Sequence, residues 1–192
     1  MFENLPTQKF QVVVADLPWS YYGQQDKWGA VAKFYNTMSD EELAQFPMNQ
    51  LLEDQSVLFL WATSPRLDLC IDLIRKWGLT YRGVAFVWVK TNKEGNPMGA
   101  RGVRPSIVKP TCEYVLAASP VAKGRPLKLL DESIVNTVLA PVGEHSVKPE
   151  AVQDRIDRMY PYASKLELFG RRQRPGWVVW GNESDKFSSP PA

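Results

Sequence analysis

The sequence predicts an α/β fold, with a mostly parallel sheet and helices on both faces. Three observations predict it. Short apolar runs of strand length alternate with segments of helical period along the whole chain. The chain has 192 residues, which suits one domain and buries a sizeable core without disulfides or metal. Hydrophobic residues make up 44% and charged residues 23%, an ordinary balance for a soluble globular protein.

Residues 11–15 (QVVVA) are β-branched and apolar, and the run stops at Asp16 and Pro18, so a buried strand is expected there. Residues 20–33 are aromatic and polar and read as a loop. Ser39 with Glu42 three residues on is a capping box that opens a helix, which Pro47 ends or kinks. Residues 57–62 (VLFLWA) form a second strand. Ser64-Pro65 opens the next helix, in which Leu67, Cys70, Ile71, Ile74 and Trp77 share a face until Gly78 ends it. Cys70 on that face reads as a small core residue rather than a nucleophile. Strands follow at 84–90 and 113–118, separated by a long loop from Thr91 to Pro110, and another is expected at 134–140. Residues 149–160 form a helix with Val152, Ile156 and Met159 on one face. The last strands lie at 165–169 and 177–180, joined by a basic turn.

Composition narrows the chemistry. Two cysteines, Cys70 and Cys112, and a single histidine, His145, exclude zinc ribbons, Cys/His fingers, His-Glu-x-x-His proteases, disulfide scaffolds and any reaction needing two histidines of one chain. No metal site is expected. The net charge of +2 excludes a strongly basic or acidic tail but not a local basic patch. No apolar run approaches a membrane span and residues 1–11 are too polar for a signal peptide, so a cytoplasmic setting is expected. Seven tryptophans are many for this length, and not all are needed by the core.

Asp16-Leu17-Pro18-Trp19 follows the first strand directly, and open α/β sheets bind ligands beyond the carboxyl ends of their strands. A carboxylate, backbone carbonyls beside a proline and a flat aromatic suit a planar amine: two acceptors face two N–H groups and the ring stacks. The same four residues also suit a turn capped by Asp16 with Trp19 packed in the core.

Further blocks carry a resemblance. The chain resembles the MT-A70 family of adenine N6-methyltransferases, whose signature Asp-Pro-Pro-Trp is matched at Asp16 to Trp19. The likeness continues at residues 35–39 (YNTMS), 59–61 (FLW), 88–92 (WVKTN), 145–150 (HSVKPE), 166–171 (LELFGR) and 176–183 (GWVVWGNE), in the family's order across nearly the whole chain. Leu17 stands where the family usually has its first proline; it keeps the carbonyl and gives up the fixed φ. The resemblance implies a single Rossmann-like methyltransferase domain over residues 1–183, a flexible tail over 184–192, and a permuted order with the catalytic motif N-terminal and the cofactor motif C-terminal. With no zinc fingers and no long N-terminal extension, it implies a minimal catalytic domain.

By that resemblance Asp16, Leu17, Pro18 and Trp19 are catalytic, and Tyr35, Glu113 and Lys148 bind the substrate base. Asp16, Lys148, Phe169, Arg171, Asn182 and Glu183 line the pocket for S-adenosylmethionine. The sequence has no G-x-G-x-x-G, which suits a cofactor without phosphates. Taken by themselves, Asn182 and Glu183 also read as a strand-ending turn, and Lys148 as a solvated residue before a helix. In the implied mechanism Asp16 and the adjacent carbonyl each accept one N–H of the adenine amine, localising its lone pair for attack on the methyl, while Trp19 and Tyr35 stack on the base. The proton leaves after transfer, so no strong base is required.

The stretch 91–128 holds seven basic residues (Lys93, Arg101, Arg104, Lys109, Lys123, Arg125, Lys128) against the acids Glu94 and Glu113, and Arg171, Arg172 and Arg174 form a second cluster. Both suit phosphate contact. The loop from Thr91 to Pro110 is expected to clamp the substrate backbone through Lys93, Arg101, Arg104 and Lys109. The expected acceptor is nucleic acid, DNA before RNA, by analogy with modification enzymes of minimal form. Two rivals fit parts of the pattern: a non-catalytic nucleic-acid-binding subunit that keeps the fold, and a methyltransferase for a protein amide. The intact Asp16 opposes the first, and Tyr35 and the basic loops oppose the second. Monomer and homodimer both remain compatible with the sequence.

Overall fold

β1 (Phe10–Ala15) is apolar towards both of its faces, and Val12, Val13 and Val14 are buried, as a central parallel strand requires. The computed structural model describes residues 4–19, 37–99, 107–143 and 147–181. β1 pairs in parallel with β2 (Leu52–Thr63) on one side and with β6 (Lys165–Leu168) on the other. β3 (Thr80–Thr91), β4 (Cys112–Ser119), β5 (Thr137–Pro141) and β7 (Val178–Trp180) complete a sheet of order β5-β3-β4-β2-β1-β6-β7. Among the described strands only β4 runs against its neighbours, pairing antiparallel with both β2 and β3.

Helices cover both faces, the doubly wound arrangement that the sequence predicts. On one face α1 (Asp40–Ala44), α2 (Met48–Leu51) and α3 (Leu67–Lys76) bury Leu43, Met48, Leu51, Cys70, Leu73 and Ile74 against Val13, Ala15, Leu58, Leu60 and Leu116. On the other, α4 (Glu150–Met159) lays Val152 and Ile156 over Val12, Val14, Phe59, Trp61 and Trp88. Successive strand residues thus feed two separate cores, the period-2 consequence of a sheet covered on each side. Cys70 is a core residue, and burial pushes its thiol up to about 12.

Element ends differ from the sequence expectations for local reasons. The capping box is present: the Ser39 N–H donates to Glu42 Oε2 at 2.8 Å and the Glu42 N–H donates to Ser39 Oγ at 3.2 Å. The helix it opens has only five residues, ending at Ala44 before Pro47. Ser64–Arg66 is a 3-10 turn, so α3 begins at Leu67 rather than at Pro65. Gly78, at φ +75°, ends α3 in the left-handed conformation that lets the Leu79 N–H reach the Ile74 carbonyl at 3.0 Å. β3 runs past its apolar stretch because Thr80 and Tyr81 pair with β4 and Thr91 with β5. β2 reaches back to Leu52, which pairs with Phe10 before an irregularity, and the register resumes at Val57. The strand expected at 134–140 begins at Thr137. The start of the loop after β3 folds back on that strand: the Met98 N–H donates to the Lys90 carbonyl at 2.9 Å and the Asn96 N–H to Asn92 Oδ1 at 2.8 Å.

Candidate active site

The chain leaves β1 towards β2 and leaves β6 towards β7, in opposite directions, although β1 and β6 are neighbours. The crevice outside their carboxyl ends is therefore a topological switch point, where open α/β sheets take their ligands. Asp16 is the first residue beyond β1, and its N–H reaches the Leu168 carbonyl of β6 at 3.4 Å. After it the chain turns tightly. The Trp19 N–H donates to the Leu17 carbonyl at 3.0 Å, closing a three-residue turn over Pro18, and the Met38 N–H donates to the Pro18 carbonyl at 2.8 Å. The side chains of Leu17 and Trp19 are buried in the core beside α1 and α2. This corrects the stacking role expected for Trp19: only 6% of the residue is exposed, so its ring offers no platform to a base.

Asp16 ends a row of four alternating charges drawn from four parts of the chain. Lys148 Nζ, just before α4, lies 2.9 Å from Asp16 Oδ2 and 3.3 Å from Glu113 Oε2 on β4. Lys90 Nζ on β3 lies 2.5 Å from Glu113 Oε1. The Lys148 and Glu113 side chains are only 16% and 10% exposed, whereas Asp16 keeps 34% open towards the crevice. Lys148 is thus no solvated pre-helix residue. Two tryptophans floor the row. Lys148 stands 5.4 Å from the Trp61 ring centroid and Lys90 stands 5.2 Å from that of Trp88, while the two rings meet edge-on at 6.2 Å. Glu113 pairs in register with Trp88, which puts all these side chains on the α4 face of the sheet.

The electrostatics follow from this row. Burial pushes the Asp16 carboxyl above the ordinary aspartate value; the charge and hydrogen bond of Lys148 oppose the rise, Glu113 adds to it and Arg171 opposes it. Burial pushes Glu113 the same way, but Lys148 and Lys90 outweigh it and hold that carboxyl below its usual value. Burial alone would lower Lys148, yet its two carboxylates hold it well above the ordinary lysine value. The row therefore ends in the Asp16 carboxyl, the most exposed of its charged groups, with Lys148 against it.

At the end of β6, Phe169 adopts φ +59° and its ring packs 5.6 Å from Phe46 and 5.2 Å from Trp180. A Cβ on Gly181 would stand 3.0 Å from both the Gly170 oxygen and Phe169 Cα, so two backbone segments meet there. A Cβ on Gly170 would stand 2.5 Å from Val179 Cγ1 and 3.1 Å from Glu167 Cγ. Gly170→Ala is accordingly expected to cost about 1–3 kcal/mol by overpacking, read as a lower urea midpoint at unchanged m-value. Glu167 accepts from Gln153 Nε2 at 3.1 Å, and burial raises its carboxyl against the pull of Arg172.

Two members of the second basic cluster are committed elsewhere. Arg174 pairs with Asp154 at 2.6 Å and Asp157 at 2.8 Å, and Arg172 pairs with Glu150, all three acids lying on α4. These arginines pin the turn before β7 to that helix, which corrects the phosphate-contact role expected of them. Arg171 instead acts on Asp16 through its charge. Tyr35, Asn182 and Glu183, with Arg101, Arg104 and His145, lie outside the described residues. Lys90, Trp61 and Trp88 were not singled out from the sequence. Their only signal there was membership of the blocks at 59–61 and 88–92.

A sequence model of the MT-A70 family matches residues 10–183. The chain belongs to the MT-A70 family. It is thus a methyltransferase, with the Rossmann-like sheet that the fold displays. It is 33% identical to the type II methyltransferase M.MunI of Mycoplasma over 95% of this chain and 81% of that protein. It is 31% identical to the N(6)-adenosine-methyltransferase MT-A70-like protein of Drosophila melanogaster over 92% of this chain and 27% of that protein. To the human N(6)-adenosine-methyltransferase catalytic subunit METTL3 it is 30% identical, over 92% of this chain and 28% of that protein. The chain thus spans four-fifths of its Mycoplasma relative but under a third of the two animal ones. No helix among the described residues is long and apolar enough to cross a membrane.

Proposed function

We propose that the protein transfers a methyl group from S-adenosylmethionine to the exocyclic N6 amine of adenine in DNA. The observation that carries this reading is the Asp16 carboxylate, held by Lys148 at 2.9 Å beside the switch point of the sheet. The adenine amine is a weak nucleophile because its lone pair is delocalised into the ring. Asp16 accepts one of its N–H groups and the Leu17 carbonyl accepts the other. That carbonyl already accepts the Trp19 N–H, but a carbonyl oxygen has two lone pairs and keeps one for the substrate. Two acceptors localise the amine lone pair and aim it. The carboxylate also offsets the positive charge that grows on nitrogen as the new bond forms. The proton leaves after transfer. Glu113 and Lys148 read the edge of the base, and Tyr35 stacks on it. An adenine within a duplex must flip out of the stack to reach this place.

Members of the family generally use S-adenosylmethionine, which supplies an electrophilic sulfonium methyl when bound. The residues here fit it. The site offers carboxylate and ammonium groups side by side, as a phosphate-free zwitterion requires, and the backbones at Phe169–Gly170 and Gly181 approach closely beyond the strand ends. In this reading Asp16, Lys148, Phe169, Arg171, Asn182 and Glu183 hold the cofactor.

DNA as the acceptor fits the likeness to the type II methyltransferase, which extends over most of that protein. RNA is the second reading and rests on the likeness to the N(6)-adenosine-methyltransferases. We place the enzyme in the cytoplasm; its cysteines, both free thiols, fit a reducing compartment. The test is incubation of the protein and labelled cofactor with DNA, RNA and protein acceptors in parallel. Label recovered as N6-methyladenine in DNA is the expected result. Label in RNA alone replaces the acceptor, label in protein alone replaces the chemistry, and no label in any acceptor overturns the reading.

A further inference from the structure

Lys148 is shared unequally between two carboxylates. It lies 2.9 Å from Asp16 and 3.3 Å from Glu113, although Glu113 is the less exposed of the two, at 10% against 34%. Attraction strengthens as solvent is withdrawn, so Glu113 should hold the ammonium more tightly than Asp16 does. The other contact of Glu113 accounts for the reversal. Its Oε1 lies 2.5 Å from Lys90, the shortest ion pair of the row, so much of the Glu113 charge is already met.

We infer that Lys90 is a positioning residue of this site: by occupying one oxygen of Glu113 it leaves only a partial claim on Lys148, and so keeps the Lys148 ammonium against Asp16. Lys90 is built for this. Its N–H donates to the Thr111 carbonyl at 2.8 Å and its carbonyl accepts the Met98 N–H at 2.9 Å, which fixes the backbone on both sides. Its ammonium stands over Trp88, whose indole N–H is anchored on the Ala140 carbonyl at 2.9 Å. Without Lys90, Asp16 and Glu113 would compete for one cation. Lys148 would then move towards the more buried Glu113, leaving Asp16 less compensated. The charged groups that bear on Asp16 are Lys148 before α4, Glu113 on β4, Arg171 after β6 and Glu167 on β6. The chain of ion pairs from Lys90 to Asp16 runs through Glu113 and Lys148.

The inference rests on the proposed methyl transfer for its catalytic consequence but not for its geometry, so its test needs neither cofactor nor acceptor. Carboxyl titrations of Asp16 and Glu113 are followed by carbon NMR in the parent, Lys90→Met, Lys90→Arg, Glu113→Gln and the Lys90→Met/Glu113→Gln double variant. Lys90→Met is expected to move the Asp16 midpoint to higher pH, equivalent to roughly tenfold tighter proton binding, and Lys90→Arg to restore it. In the Glu113→Gln background the same Lys90→Met change should leave Asp16 nearly unmoved. An Asp16 midpoint unchanged in Lys90→Met overturns the inference, and so does an equal shift in both backgrounds, which would mean that Lys90 acts by its field alone. If the parent transfers no methyl to any acceptor, the proposed function fails while these titrations still decide the role of Lys90.

Discussion

Asp16→Ala is expected to lower kcat by about 10²–10³, the typical loss when one preorganised group aimed at developing charge is removed. The fold should survive, because Asp16 lies beyond β1 with its carboxylate open to the crevice, and Lys148 keeps Glu113 as a partner at 3.3 Å. Asp16→Asn keeps an acceptor but loses the charge, so its rate should fall between those of the parent and the alanine variant. The pH profile separates these roles. In the proposed mechanism Asp16 acts in its ionised form, and burial holds its carboxyl above the ordinary aspartate value. Activity should therefore fall as pH falls through that raised value, and kcat/KM reports the group in the free enzyme. The acid limb should vanish in Asp16→Asn. Turnover of Asp16→Ala within a few-fold of the parent would remove Asp16 from the mechanism.

What was legible in the sequence follows from what local patterns encode. The central strands β1, β2 and β4 announce themselves because burial on both faces demands an unbroken apolar run. Ladder ends do not: Leu52 pairs with Phe10 ahead of the polar stretch Glu53 to Ser56, across which the register with β1 jumps before it resumes at Val57, and no apolar run marks that start. The Ser39 box marks where α1 starts but not how short it is. Asp16 stood out by its place after a strand, a local fact. The charge row did not stand out, because its members come from β1, β3, β4 and the approach to α4 and meet only in the fold. Distance in sequence also hid the fate of Arg172 and Arg174: beside Arg171 they look like one phosphate patch, but their acids wait on α4. The sequence around Trp19 suits packing and stacking alike, and the ring packs because it falls on the α1 and α2 side of the sheet, away from the charge row.

Lys148→Met is expected to be the most destabilising change at the site. It keeps the stem over Trp61 and removes the cation between two carboxylates. Breaking a buried ion pair on one side leaves uncompensated charge, at a cost of about 3–5 kcal/mol when fully buried. Asp16 remains partly open, so a loss of about 3 kcal/mol is expected, or roughly 6–12 °C in Tm for a chain of this size. The sign of its pH dependence identifies the cause. In the parent Glu113 is held below its ordinary value, so its pair contributes stability at neutral pH and loses it as pH falls through the lowered value. In the variant burial acts on Asp16 and Glu113 with less opposition and raises both carboxyls. Protonation then relieves the folded state, so the variant should regain ground as pH falls. The gap in Tm between parent and variant should be widest near neutral pH and narrow towards about pH 4, the ordinary carboxylate range. A gap of constant size across that span would assign the loss to packing against Trp61 instead of to charge.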